Sequence, residues 1–175
     1  MFEVRVVVFC ADRQLHWDRD SDAPGCTDAT HAHVEFEVHR HLSAVELPGG
    51  AAVTAASFHS PDPYARDHDP DYGLYFDPAW QPPWPHDHVE WPDFGVPDRR
   101  ALVVALDALL ARAIAGEHVE IGCLGAHGRT GTAVACLAVA AGHPAGEAVA
   151  WAREHYCAGA VETPEQEQFV GLFGS

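Results

Sequence analysis

The chain has 175 residues, of which 47% are hydrophobic, and its formal net charge is −16 without a single lysine. This length suits one domain with a substantial core, and so acidic a chain is not expected to bind nucleic acid or anionic membranes. Because the sequence has no apolar run of membrane-spanning length, no signal-peptide features at its start and five cysteines without CxxC pairing, we expect a cytoplasmic protein with reduced thiols.

Three strands are predicted in the first 60 residues. Apolar and polar residues alternate over residues 2–10 and again over 31–42, which is typical of strands with one buried face. The turn-forming sequence Pro48-Gly49-Gly50 follows, and residues 51–58 are predicted as a third strand.

Residues 59–97 are rich in proline, aspartate and aromatic residues and are predicted to be irregular, with one short strand at 72–76. A long irregular stretch inside a domain is usually functional. Its tryptophans, Trp80, Trp84 and Trp91, could wall a substrate cleft or cover the core, and we expect them to cover the core.

The second half of the chain is predicted to be mainly helical. A helix runs from the capping residue Asp98 to about residue 115 and is followed by a short buried strand at 118–123. Further helices are predicted at 130–141 and 144–156, and a Thr-Pro-Glu-Gln capping box at Thr163 opens a last helix. Strands followed by a strand–loop–helix unit predict an α/β or α+β domain.

The most specific motif is CLGAHGRTG, in which five residues separate Cys123 from Arg129. It joins a predicted strand to a predicted helix, so that backbone N–H groups and the helix N-terminus can surround a phosphate dianion. Arg129 offers a planar pair of donors, the same positive field favours a Cys123 thiolate, and Thr130 could donate its hydroxyl to that sulfur. The alternative is a buried core cysteine before a generic anion-binding turn.

A second motif, WPDFGVP, lies at residues 91–97. A phosphatase with a cysteine nucleophile needs a proton donor for the leaving group and a base for the attacking water, and one carboxyl group can serve as both in turn. A mobile loop could bring Asp93 to the site, with Gly95 as its flexible point. The alternative, a helix-capping aspartate in a surface turn, is weakened because Asp98 already fills the capping position.

Together these motifs resemble the protein tyrosine phosphatase superfamily, with its Cx5R phosphate loop and WPD acid loop, and residues 159–169 are similar to the family's Q-loop. The resemblance covers about residues 91–170 and is weak or absent over residues 1–90. It implies a single phosphatase domain over residues 1–175, of the α/β class with a central mixed sheet flanked by helices. Residues 1–90 would form variable strands and loops, and residues 91–175 the catalytic loops and helices.

The resemblance also implies roles for individual residues. Cys123 is the nucleophile and Arg129 binds phosphate. Asp93 is the general acid and then the base, and Thr130 assists the departing sulfur. The phosphate is held by the loop residues Leu124, Gly125, Ala126, His127, Gly128 and Arg129.

Two positions correspond to glutamines that position the hydrolytic water in the family. Gln166 falls on one of them, although the capping box is a complete alternative role for it, and Glu162 falls on the other. Gly122 stands where the family usually has a histidine before the cysteine. The departures at Gly122 and Glu162 motivate a catalytically impaired phosphate-binding module as one alternative.

Histidines cluster on two segments and could in principle chelate a metal. One set comprises His31, His33, His39 and His41 with Glu35 and Glu37, and the other comprises His86 and His88. Residues two apart share one face of a strand, but the sequence places no further ligand beside either set. We therefore expect solvated strand faces and no metal.

The sequence thus predicts hydrolysis of phosphate monoesters through a phosphocysteine intermediate, without a cofactor. The expected activity is that of a protein phosphotyrosine or dual-specificity phosphatase. The alternatives are a phosphatase of a small phosphorylated metabolite or nucleotide, and the impaired binding module. The expected partners are accordingly a phosphorylated protein or a small phosphate ester, with no nucleic acid and no membrane.

Overall fold

The computed structural model describes residues 44–59 and 61–174, which form five strands and four helices. The strands are β1 (Ala44–Glu46), β2 (Ala52–Ser57), β3 (Tyr72–Tyr75), β4 (His86–His88) and β5 (Val119–Cys123). The helices are α1 (Arg99–Ile114), α2 (Gly128–Ala140), α3 (Ala148–His155) and α4 (Pro164–Gly171). The strands predicted at residues 2–10 and 31–42 lie outside the described residues, and a single domain over residues 1–175 stays a prediction.

The five strands form one mixed sheet in the order β1-β2-β5-β3-β4. Strand β1 pairs antiparallel with β2 across the predicted turn, where Gly49 and Gly50 have positive φ, and the other pairings are parallel. Central β5 is paired on both sides, with Ile121 between Ala55 and Leu74. Because parallel strands end at the same edge, the carboxyl ends of β2, β3 and β5 meet there. The predicted α/β fold with a mixed sheet flanked by helices is confirmed.

Helix α1 has the predicted cap and the predicted buried face. The Asp98 carboxylate accepts a hydrogen bond from the Ala101 N–H at 2.8 Å, which satisfies one free donor of the first turn. The buried positions are those of the apolar spacing, namely Leu102, Leu106, Leu109 and Ala113. None of the four described helices combines the length and the apolar character that crossing a membrane requires.

Helices α2 and α3 begin at residues other than the predicted ones. Helix α2 starts at Gly128, two residues earlier than expected. Helix α3 starts at Ala148 and not directly after Pro144, because the residues between them form hydrogen-bonded turns. The capping box that opens α4 is present, since Thr163 Oγ1 accepts from the Gln166 N–H and Gln166 Oε1 accepts from the Thr163 N–H.

Strand β4 has no counterpart among the predicted elements, so residues 59–97 contain two strands and not one. It pairs in parallel with β3 and extends that pairing through a 3.0 Å hydrogen bond from the Val89 N–H to the Tyr75 carbonyl. Its sequence, His-Asp-His, is polar and lies at the edge of the sheet. Apolar alternation, the signal used for the other strands, is therefore missing.

The three tryptophans of this stretch cover the core, as expected. Trp91 is buried in the main core. A second aromatic cluster comprises Phe58, Tyr64, Tyr75, Trp80 and Trp84. Within it the Trp80 ring stacks on Phe58, with ring centroids 4.5 Å apart. The cluster fastens the irregular segment after β2 to the sheet.

A buried ion pair fixes the same segment to β5. Arg66 Nε and Nη2 lie 2.6 and 2.9 Å from the Glu120 carboxylate oxygens. Tyr75 donates its hydroxyl to Glu120 at 2.8 Å and accepts from Trp84 Nε1 at 2.6 Å. Gly73 is needed here, because a Cβ at that position would lie 2.3 Å from the Tyr75 hydroxyl oxygen. Burial and the Glu120 charge raise the pKa of Tyr75, so the phenol remains a donor at neutral pH.

Replacing Glu120 with glutamine should lower the free energy of unfolding by about 3–5 kcal/mol, because the variant leaves the Arg66 charge buried without its partner. Urea unfolding followed by tryptophan fluorescence measures this loss. Glu117→Gln is the matched control, since the Arg112–Glu117 ion pair at 2.8 Å is solvent-exposed and should cost less than about 1 kcal/mol. Equal losses in the two variants would contradict a special role for the buried pair.

Candidate active site

The loop from Cys123 to Arg129 joins the carboxyl end of β5 to the start of α2, as the motif predicts. The Leu124 carbonyl is fixed by two donors from β2 and the residues that follow it. It accepts from Ser57 Oγ at 2.8 Å and from the His59 N–H at 3.0 Å. Fixing one carbonyl in this way leaves the backbone N–H groups of the loop less free to rotate. The loop is therefore held from the β2 side before it enters the helix.

The sulfur of Cys123 accepts two hydrogen bonds. The Ala126 N–H lies 3.2 Å from it and Thr130 Oγ1 lies 3.0 Å from it. Both donors stabilise negative charge on the sulfur. Burial instead raises the pKa of Cys136 and of Cys157, so those two thiols stay protonated at neutral pH. Cys123 thus differs from these two cysteines in lying in the phosphate loop, where a backbone N–H and a hydroxyl donate to its sulfur.

The guanidinium of Arg129 is held on three sides and has one unsatisfied donor. Its Nη1 donates to the carbonyls of Phe76 and Trp91, each at 3.3 Å, and its Nη2 lies 3.2 Å from Asp93 Oδ1. The residue is only 7% exposed. Its Nε is buried and has no hydrogen-bond partner among residues 44–59 and 61–174. A buried donor without a partner is costly, and an oxyanion bound in the loop could satisfy it.

The acid loop folds around Trp91 and turns Asp93 towards Arg129. The indole Nε1 of Trp91 donates to the Gly95 carbonyl at 2.9 Å, and the Gly95 N–H donates to the Pro92 carbonyl at 3.0 Å. Phe94 has a positive φ of 57° and is 62% exposed. Asp93 is also exposed, with 58% of its side chain accessible. The carboxyl group of Asp93 is therefore open to solvent and in contact with the arginine of the loop.

Gln166 connects the start of α4 to the acid loop. It is fully buried, and its Oε1 accepts from the N–H groups of Glu162 and Thr163 at 2.9 and 3.3 Å. Its Nε2 donates to the Gly95 carbonyl at 3.3 Å. The helix-capping role that the sequence left open is thus present. The contact with Gly95 adds a link to the segment that carries Asp93.

The carboxylate of Glu162 lies over the first residue of α2. A Cβ built at Gly128 would meet Glu162 Oε2 at 2.1 Å, so a larger residue there would require the Glu162 side chain to move. Although the residue as a whole is exposed, partial desolvation raises the pKa of the Glu162 carboxyl and the Asp93 charge raises it further, while the Arg129 charge and the Gly128 backbone lower it. Glu162 therefore places a second acidic group beside the phosphate loop and near Asp93.

Glu162→Gln is expected to tighten binding of tungstate, an oxyanion of phosphate-like shape, by about 5- to 10-fold at pH 8, where the carboxylate is ionised. Because the pKa of Glu162 is raised, lowering the pH protonates this group early and removes its negative charge from the site. The difference in tungstate affinity between the wild type and Glu162→Gln should accordingly disappear as the pH falls. Calorimetric titration across pH 5 to 8 measures it, with the exposed Glu165→Gln as matched control. Identical dissociation constants for the two variants would refute the proposed competition.

Phe58 fills the space beside Gly122. A Cβ at Gly122 would lie 2.8 Å from the Ala56 carbonyl oxygen and 2.9 Å from the Phe58 ring. A histidine side chain at this position, as the family usually has, would require Phe58 to move. The departure at residue 122 is therefore compensated by packing and not by another polar group.

The sequence analysis did not predict two contacts at the end of α3. Tyr156 donates its hydroxyl to the Ala126 carbonyl. Cys157 Sγ lies 3.3 Å from His127 Nδ1. Each pair joins residues 30 positions apart in the chain, so no local pattern signals it. The structure thus places Asp93 against Arg129 and Thr130 against Cys123, links Gln166 to the acid loop, and adds these two contacts.

His86 and His88 each have a backbone partner. His86 Nδ1 lies 2.8 Å from the Trp84 carbonyl oxygen and His88 Nε2 lies 2.7 Å from that of Trp80. In the part of the chain that the structure describes, no three histidine, cysteine or acidic side chains are grouped to hold a metal ion. The other histidine set, at residues 31–41, lies outside the described residues.

No family model matches the chain. Over 83 residues it is 37% and 36% identical to two uncharacterized proteins of Methanocaldococcus jannaschii, and each match covers 47% of this chain. The chain spans about half the length of these curated relatives, 55% and 51%. The names of these proteins state no activity, so the function has to be inferred from the site itself.

Solved structures of phosphatases share the fold. Tk-PTP in its active form is 26% identical, with a TM-score of 0.59, and the match covers 72% of this chain and 92% of that one. Kinase associated phosphatase with its catalytic-site cysteine replaced by serine has a TM-score of 0.61 at 15% identity, covering 77% and 94%. A mouse dual specificity phosphatase complexed with zinc tungstate has a TM-score of 0.56 at 12% identity, covering 85% and 90%.

Proposed function

We propose that this chain, which belongs to the protein tyrosine phosphatase superfamily, hydrolyses phosphate monoesters through a phosphocysteine intermediate. The observation that carries the proposal is the Cys123 sulfur with two donors, beside a buried Arg129 whose Nε is unsatisfied and whose Nη2 contacts Asp93. A binding module would need the arginine but neither a nucleophile nor an acid. The chemistry uses no cofactor.

In the first step the Cys123 thiolate attacks phosphorus. The S–P bond forms as the bond from phosphorus to the ester oxygen breaks, and Asp93 gives its proton to the departing oxygen. The Arg129 guanidinium and the backbone N–H groups of residues 124–129 stabilise the charge on the equatorial oxygens. The exposed position of Asp93 suits a proton donor that must reach a leaving group outside the loop.

In the second step water attacks the phosphocysteine. Asp93, now ionised, accepts a proton from the water, the S–P bond breaks, and Thr130 stabilises the departing thiolate through its 3.0 Å hydrogen bond. Glu162 and Gln166 are the residues we assign to positioning the water. Gln166 would act through its link to Gly95, and Glu162 directly, in its protonated form or after turning away from Gly128.

The rim of the site favours aryl phosphates such as protein phosphotyrosine. Phe94 on the acid loop is 62% exposed and Leu124 on the phosphate loop is 42% exposed. Exposed apolar side chains on both loops can pack against an aromatic leaving group. The Glu162 carboxylate and the net charge of −16 disfavour a substrate that carries further negative charges, as nucleotides do. We place a phosphotyrosine or dual-specificity protein substrate first and a small phosphorylated metabolite second.

The test is hydrolysis of a small aryl phosphate by the wild-type chain from pH 5 to 8 with EDTA present, combined with acid quenching and mass analysis of the protein. We expect activity that survives chelation and a phosphate adduct on the peptide that contains Cys123. A panel of phosphotyrosine peptides, phosphoserine peptides and nucleotides then ranks the substrates. Activity that EDTA abolishes, or an adduct on another residue, would refute the mechanism. Tungstate binding without any turnover would favour the binding module.

A further inference from the structure

Ala126 adopts a backbone conformation that needs support. Its φ is 59°, in the left-handed region, although it has a side chain and is fully buried. A non-glycine residue in this region is strained and persists only where its surroundings hold it. This conformation matters because the Ala126 N–H is one of the two donors to the Cys123 sulfur.

The support comes from the end of α3. Tyr156, the residue that ends this helix, donates its hydroxyl to the Ala126 carbonyl. Burial, with smaller contributions from Cys123 and Cys157, raises the pKa of Tyr156, so the phenol keeps its proton and remains a donor. The neighbouring residue is held as well, because the His127 carbonyl accepts from the Val161 N–H at 3.4 Å.

Fixing the direction of a carbonyl also fixes the direction of the N–H of the next residue. In a planar trans peptide the C=O of one residue and the N–H of the following residue point in opposite directions. The structure has no cis peptide bond among its described residues. Because Tyr156 holds the Ala126 carbonyl towards α3, the His127 N–H points away from α3.

We propose that Tyr156 is a positioning residue for the nucleophile and the phosphate loop. Its hydroxyl fixes the Ala126 carbonyl and supports the left-handed backbone at Ala126, which relates this carbonyl to the Ala126 N–H on the Cys123 sulfur and turns the His127 N–H away from α3. The effect on turnover rests on the proposed function. The effect on Cys123 itself does not, since the sulfur loses a well-placed donor whether or not the chain is an enzyme.

Tyr156→Phe tests the proposal, because it removes the hydroxyl and keeps the ring. The rate at which iodoacetamide alkylates Cys123 at pH 7 should fall several-fold. Tungstate binding should weaken about tenfold, the typical effect of losing one hydrogen bond in a buried network. If the wild type is a phosphatase, kcat/KM should fall by a similar factor.

Tyr72→Phe is the matched control. Tyr72 also donates its hydroxyl in a partly buried hydrogen bond, to Asp87 at 2.6 Å, but this bond lies on the β3–β4 pairing and not on the phosphate loop. In the Tyr72→Phe variant, the rate of Cys123 alkylation and the affinity for tungstate should keep their wild-type values. Wild-type values in Tyr156→Phe, or the same losses in both variants, would overturn the proposal. A wild type without turnover but with slowed alkylation in Tyr156→Phe would refute the proposed function and support this inference.

Discussion

Replacing Cys123 with serine is expected to reduce hydrolysis of an aryl phosphate by about 10⁴-fold or more while the fold is kept. Serine is nearly the same size, and its hydroxyl can still accept from the Ala126 N–H and Thr130 Oγ1. A serine hydroxyl is not ionised at neutral pH, however, and neither of the two described partners of this position, the Ala126 N–H and the Thr130 hydroxyl, is a base. Steady-state rates at pH 6, normalised to folded protein, measure the loss.

Binding of an oxyanion should survive this substitution. The arginine and the backbone donors are unchanged, and removing a thiolate also removes a negative charge from the site, so tungstate should bind at least as tightly as in wild type. Cys136→Ala is the matched control, because that thiol lies in the core of α2 and its pKa is raised by burial. A serine variant that retains a tenth of the activity, or an equal loss in the control, would remove Cys123 as the nucleophile.

Residues close together in the sequence allowed much of the fold to be predicted. The spacing of four apolar residues predicts the buried face of α1, and Asp98 and Thr163 cap helices where short-range hydrogen-bond patterns place them. Each of these signals lies within one or two turns of a helix. The same holds for the phosphate loop, whose strand, turn and helix are contiguous. The structural neighbours confirm the resemblance to the superfamily that these motifs carry.

The contacts that the sequence does not predict join distant segments. The Glu162 carboxylate contacts Gly128, and Tyr156 contacts Ala126 across 30 residues, through packing of α3 and α4 on α2. Strand β4 is likewise defined by backbone pairing with β3 and not by apolar side chains. Such contacts depend on how whole elements are arranged, and a single sequence carries no periodic signal for them. They are nevertheless the contacts that set charge and orientation in the site.

Arg129→Lys is expected to lower kcat/KM by about 10³-fold, although it keeps the positive charge. Arg129 makes contacts that a single ammonium cannot reproduce together: Nη1 holds the carbonyls of Phe76 and Trp91 while Nη2 contacts Asp93. Its Nε remains for an oxyanion. A lysine ammonium can make only one of these contacts at a time. We therefore expect weaker phosphate binding and poorer alignment of the acid loop.

The expected loss has two parts that separate experimentally. Tungstate affinity reports the loss of phosphate contacts, and the fall in kcat at saturating substrate reports the loss of transition-state stabilisation and of Asp93 alignment. Arg112→Lys is the control, since Arg112 forms an exposed ion pair with Glu117 and lies over the Tyr72 ring, away from the loop. If Arg129→Lys changed tungstate affinity and kcat by less than about threefold, a positive charge alone would be enough for binding and catalysis. The planar donor geometry of Arg129 would then not contribute to catalysis.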